Sequence, residues 1–256
     1  TREKDVKWVR SVVGGMSGVH VMDVSDYYTQ IAIQGPKAEA TLQKLTTVDL
    51  GPIKNYWFTW GTVCGLHNVL IARTGYTGED GFEIYVPSDE PTSARVWGEV
   101  LAAGAEFGAV PCGLGARNTL RLESAMALYG HEISDTLNVW EANLGRYCKM
   151  DKGTDFVGRE ALAAVQASGG PGKRLVGLEM VERGIGRDGY PVLSLAGENI
   201  GEVTSGSPAP FLKKNIALAY VPMAFKEIGT EVAVEVRGQP VKAVVVPTPF
   251  YKRAKI

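Results

Sequence analysis

Residues 73–86 run Arg73-Thr74-Gly75-Tyr76-Thr77-Gly78-Glu79-Asp80-Gly81-Phe82-Glu83-Ile84-Tyr85-Val86. Three glycines between Thr74 and Gly81 require a tight turn, and the alternation that follows predicts a strand over Phe82–Val86. On that strand Phe82, Ile84 and Val86 share one face, and Glu83 and Tyr85 the other. Turning the chain needs one or two glycines. It does not need an arginine, a tyrosine and three carboxylates in the same span. A carboxylate on the polar face can accept two parallel hydrogen bonds. That suits a flat donor–donor edge such as an amidine, a guanidine or an aminopyrimidinone. Tyr76 can pack against or hydrogen-bond such a ring. Standing alone, Glu83 would read as a solvated strand residue.

Outward from this stretch, β-type runs fall at His20–Val24, Tyr28–Ile33, Tyr56–Val63 and Asn68–Ala72. Helical periodicity marks Glu3–Val13, with Val6, Val9, Val12 and Val13 on one stripe. It also marks a helix opened by Gly35-Pro36 and the segments Asp89–Gly104, Leu114–Ala125 and Val157–Ala167. Ser168-Gly169-Gly170-Pro171-Gly172 reads as a linker. Beyond it come only short β runs: Leu175–Met180, Pro191–Leu195, Glu198–Ser205, Ile216–Val221, Glu231–Val236 and Lys242–Val246. Their spacing predicts a small antiparallel barrel or sandwich. The expected division is an α+β region over 1–172 and a β-domain over 173–256.

Composition narrows the chemistry. The 256 residues carry 27 Lys plus Arg against 28 Asp plus Glu, a formal net charge of -1. That balance argues against a general nucleic-acid binder, and no apolar run approaches the roughly 18 residues of a membrane span. Cys64, Cys112 and Cys148 are widely spaced and odd in number, so they read as reduced thiols. His20, His67 and His131 show no metal-motif spacing, and no metal is expected. His131 reads as a hydrogen-bonded structural residue. Gly113-Leu114-Gly115-Ala116-Arg117-Asn118 lacks the third glycine of a dinucleotide fingerprint, and Gly172-Lys173-Arg174 fails as a phosphate loop. In Pro111–Glu123, Arg117 and Arg121 lie four apart on one helix side. They read either as surface ion pairs or as partners of Glu123 or Glu83.

Taken in order, the segments Arg2–Asp5, Ile33–Ala38, Arg73–Val86, Pro111–Glu123 and Leu128–Ile133 resemble the glycine cleavage T-protein (aminomethyltransferase) family. Asp155–Leu162, Gly189–Val192, Val203–Gly206, Ile216–Val221 and Pro249–Tyr251 continue the resemblance over essentially the whole chain. The resemblance implies an α+β fold, part of a cloverleaf around a central folate hole, ending in an antiparallel β-barrel. It implies tetrahydrofolate as co-substrate and the lipoylated H-protein as partner. Aminomethyl transfer from that partner would release ammonia and form 5,10-methylenetetrahydrofolate. Glu83 would match the carboxylate gripping the pterin's amino edge. Tyr76, Arg117 and Arg253 would match further folate contacts, with Lys252 a second cation for the folate tail. The family's catalytic aspartate would lie before Arg2–Asp5, so no catalytic residue is expected in this chain, and the chain alone is expected to be weak or inactive. A folate-dependent demethylase and a non-catalytic folate-binding module stay open as alternatives. The expected compartment is the cytoplasm of a bacterium or the mitochondrial matrix of a eukaryote, without membrane or nucleic-acid partners.

Overall fold

The computed structural model describes residues 1–254. They form two compact units, one of residues 1–75 and 79–111, the other of residues 76–78 and the chain from 112 onward.

In the first unit, helix α1 (Arg2–Val13) is followed by strand β1 (Tyr28–Gln34), helix α2 (Ala38–Gln43), strands β2 (Phe58–Val63), β3 (Leu66–Ala72) and β4 (Gly81–Pro87), and helix α3 (Glu90–Gly104). The strands make one antiparallel sheet in the order β1-β4-β3-β2. Helices α2 and α3 pack against β1 and β4. Alternation along the strands sends Ile31, Ile33, Val69, Ile71, Phe82, Ile84 and Val86 into the core with Leu42, Val96 and Val100 of the helices. Helix α3 starts where its chemistry says it should. The Asp89 carboxylate accepts from Thr92 N–H at 2.9 Å, and Pro91 occupies the first turn. Helix α1 forms as its periodicity predicts, yet it buries no residue, and Trp8 is 55% exposed.

The strand expected over His20–Val24 is not formed. Asp23 accepts from both the backbone and the hydroxyl of Ser25, and Arg2 donates to Asp23 and Asp26. The Asp23–Ser25 bonds are local and compete with a sheet ladder, and β1 pairs with β4.

The second unit contains helices α4 (Leu114–Glu123) and α5 (Arg159–Ala167), then strands β5 (Lys173–Met180), β6 (Pro191–Leu193), β7 (Asn199–Ala209), β8 (Lys214–Pro222), β9 (Glu231–Val236) and β10 (Gln239–Val246). The six strands close into an antiparallel barrel in the order β10-β5-β8-β7-β6-β9. Closure removes the unpaired edges an open sheet would expose. Leu178, Val192, Val203, Ala217, Ala219, Val232, Val234 and Val245 fill the interior. Strand β7 outruns its expected end at Ser205, and its register shifts between Val203 and Ser205. This bulge leaves Thr204 out of the ladder, its side chain available for another task.

Leu178 is fully buried in the barrel, whereas Val181, one residue past the end of β5, is exposed. Leu178→Ala is expected to lose roughly 2–5 kcal/mol of unfolding free energy in urea. Val181→Ala is expected to stay within about 0.5 kcal/mol. Equal losses would contradict the assignment of the barrel core.

Candidate functional site

Strand β4 sets the first part of the site. Its core face lies under the helices, and its other face carries Glu83 and Tyr85, both half-buried. Register places Ala32 of β1 and Ala72 of β3 directly beside Glu83, with Phe58 of β2 next in the row. The adjacent row is Gln30, Tyr85, Leu70 and Trp60. The alanine neighbours end at Cβ, so within its row the carboxylate is bordered by methyl groups. Phe58 and Trp60 are 62% and 54% exposed there. Burial, and then the adjacent Glu83 carboxylate, hold the Tyr85 phenol above its ordinary range.

The turn before β4 is held by a clamp. The Arg73 guanidinium donates to both Asp80 oxygens at 3.0 and 2.5 Å, to Glu39 at 2.6 Å, and to the carbonyls of Leu50 and Ile53. These charges raise the Arg73 pKa, Asp80 contributing most. Gln34 donates its amide to the carbonyls of Thr74 and Phe82 at 3.0 and 3.3 Å. A Cβ on Gly75 or Gly81 would lie 1.7 or 2.4 Å from the Gln34 amide oxygen, so glycine at both positions leaves the Gln34 side chain its place between the two carbonyls. The arginine and the aspartate that look excessive for a turn therefore lock it.

In the second unit, the Tyr76 hydroxyl donates to the Ala127 carbonyl at 2.6 Å. The guanidinium of Arg117 stands 4.7 Å from the centroid of the Tyr76 ring. Tyr76 is half-buried and Arg117 is exposed. Burial holds the Tyr76 phenol above its usual range. Arg121, one turn after Arg117, is not a surface residue. It is fully buried and pairs with neither Glu123 nor Glu83. Its partner is the buried Glu132, at 2.8 Å. Arg121 also donates to Asn118 and to Ser205. Glu132 accepts from Leu128 N–H at 2.9 Å and from the Thr204 hydroxyl at 2.6 Å. Thr204 lies at the β7 bulge.

Glu123, at the end of α4, is buried and accepts from Phe211 N–H at 3.1 Å. Burial raises the pKa of its carboxyl. Its backbone carbonyl accepts from Tyr251 N–H at 2.7 Å, and the Tyr251 ring meets Phe211 edge-on at 5.1 Å. This contact ties the segment that ends in exposed Lys252 and half-buried Arg253 to α4. His131 has the structural role read from its sequence: Nδ1 lies 3.0 Å from the Thr204 carbonyl and 3.1 Å from Asp188. A cavity of about 480 Å3 also opens in this unit, with Arg146 and Arg174 as its charged lining residues. Among the described residues no group of three or more His, Cys, Asp or Glu side chains is placed to hold a metal ion. Nor is any helix long and apolar enough to cross a membrane.

Residues 1–152 match the family model of the GCVT N-terminal domain, and residues 173–252 that of the glycine cleavage T-protein C-terminal barrel domain. The chain belongs to the glycine cleavage T-protein family. It is 69% identical over 255 residues to an aminomethyltransferase of Acidobacterium capsulatum, covering 100% of this chain and 67% of that protein. It is 65% identical to an aminomethyltransferase of Koribacter versatilis, covering 100% of this chain and 66% of that one. The crystal structure of glycine cleavage system aminomethyltransferase T from Bartonella henselae matches with a TM-score of 0.85 at 29% identity, over 98% of this chain and 66% of that one. The chain thus spans about two thirds of the length of these T-protein relatives.

Sequence reasoning did not find Gln34, Glu132, Thr204 or Ser205. Apart from Leu128, four residues before Glu132, the partners cited lie between 11 and 84 residues away along the chain. The only hint was the polar insertion Leu128–Ile133 after an apolar helix. Glu132→Ala leaves the buried Arg121 charge without its carboxylate and is expected to cost about 3–5 kcal/mol in urea unfolding. Glu39→Ala, which leaves the Arg73–Asp80 fork intact, should cost under about 1 kcal/mol. The reverse order would contradict this ranking of the two ion pairs.

Proposed function

We propose that this chain carries the folate-binding surface of a tetrahydrofolate-dependent aminomethyltransferase. The reaction takes an aminomethyl group from the lipoyl arm of the H-protein, releases ammonia and yields 5,10-methylenetetrahydrofolate. The observation that carries this reading is Glu83 on β4, with Ala32 and Ala72 beside it and Tyr85 along the strand. A carboxylate bordered by methyl groups has room for a flat ring, and its two oxygens match the adjacent N–H donors of an aminopyrimidinone. Family membership supports folate as the molecule that bears this edge.

Tetrahydrofolate supplies the amine that receives the one-carbon unit. The chain's own residues bind and orient it. Glu83 fixes the pterin's amino edge and so sets the direction in which the reacting nitrogen faces; orientation of this kind lowers a barrier by several kcal/mol. Tyr76 and Arg117 are further folate contacts, and Arg253 with Lys252 attracts the carboxylates of the folate tail. We assign no catalytic group within residues 1–256, and infer that the chain binds folate but turns over slowly. The bacterial relatives favour a cytoplasmic setting.

Calorimetric titration with tetrahydrofolate tests the reading. Glu83→Ala should weaken binding by about 2 kcal/mol, roughly thirtyfold, the scale for losing a charge-assisted pair. An unchanged dissociation constant would remove Glu83 from the site. Ammonia release from aminomethylated, lipoylated H-protein should be far slower than with a relative of full family length. Equal turnover would overturn the assignment of catalysis outside these residues.

A further inference from the structure

The proposed folate contacts Tyr76 and Arg117 do not hold themselves in place. Arg117 is exposed at the start of α4, and Tyr76 belongs to a three-residue piece of turn. Both converge on the Arg121–Glu132 pair. The Met126 carbonyl lies 3.4 Å from an Arg121 nitrogen and 3.5 Å from the Tyr76 hydroxyl. The next carbonyl, of Ala127, takes the short Tyr76 bond, and the following N–H, of Leu128, donates to Glu132. Residues 126–128 are therefore gripped by the ion pair and in turn grip Tyr76. On the helix side, Arg121 is anchored to Asn118 and lies one turn from Arg117. On the barrel side, Ser205 and Thr204 of β7 bind the pair, and the Tyr220 hydroxyl of β8 donates to the Glu132 carbonyl at 2.7 Å.

Stability alone does not account for such a pair. Replacing a buried ion pair by apolar side chains of similar volume is often neutral or stabilising. What the pair provides here is one fixed arrangement of helix, loop and barrel. We infer that Arg121 and Glu132 are positioning residues that set the Tyr76 ring and the Arg117 guanidinium for the folate ligand. This rests on the folate reading above.

A mutant cycle with tetrahydrofolate as the probe, read by calorimetry on the 256-residue chain, separates positioning from mere structural support. Arg121→Lys keeps the charge but loses the fork to Asn118 and Ser205. It should raise the dissociation constant about tenfold. In a Tyr76→Phe/Arg117→Ala background the same change should shift it less than about twofold, because the hydroxyl that ties the ring to residues 126–128 and the guanidinium are both gone. An equal factor in both backgrounds, or a folded Arg121→Lys chain binding as wild type does, would overturn the inference. Should Arg121→Lys fail to fold, Ser205→Ala removes one anchor and leaves the pair. It carries the same cycle, with an expected factor of about three that disappears in the double-variant background. The Glu83→Ala titration tells the two readings apart. Binding that Glu83→Ala weakens and Arg121→Lys leaves unchanged overturns only the positioning role. Absence of binding by the folded wild-type chain overturns the folate reading and this inference with it.

Discussion

A fully buried guanidinium facing a fully buried carboxylate ties the second unit together. Arg121 and Glu132 lie 2.8 Å apart with almost no solvent access. At that depth each charge depends on the other and on a complete set of hydrogen bonds, since an unpaired buried charge costs several kcal/mol. Asn118, Leu128, Thr204 and Ser205 complete the set. The requirement to satisfy both charges thus dictates where α4, the loop after it and strand β7 meet. The β7 bulge falls at Thr204, whose hydroxyl is one of the Glu132 partners.

The first unit is organised by a simpler constraint, the two-residue period of β4. Its apolar residues and the flanking helices make the core, and the alternate positions, Glu83 and Tyr85, are left on the opposite face. One sequence pattern therefore builds the core and presents the carboxylate. The Arg73–Asp80 clamp and the Gln34 amide fix the turn that feeds β4, so the strand enters the sheet in the register that puts alanines beside Glu83.

Much of this was legible in the sequence because it depends on short-range regularities. The period of Phe82–Val86, the helical runs after Ser88 and Gly113 and the six β runs after Gly172 all appear in the structure. Spacing and turn residues left a barrel and a sandwich both open; the family resemblance implied the barrel, and the six strands close into one. What was not legible depends on pairing across long separations. No local pattern tells Arg121 to choose Glu132 over Glu123, or shows that Gln34 will fill the space left by Gly75 and Gly81. His20–Val24 misled as well: its composition suits a strand, but Asp23 binds Ser25 locally, and Arg2 binds Asp23 and Asp26 from more than twenty residues away. Glu83 could be singled out from its strand face. Its alanine neighbours came only with the register.

The most direct test of the account is a crystal structure of the chain with tetrahydrofolate bound. The pterin's amino group and adjacent ring N–H should lie about 2.7–3.1 Å from the two Glu83 carboxylate oxygens, the range of charge-assisted hydrogen bonds. A pterin bound elsewhere, with the Glu83 carboxylate still in water, would contradict it.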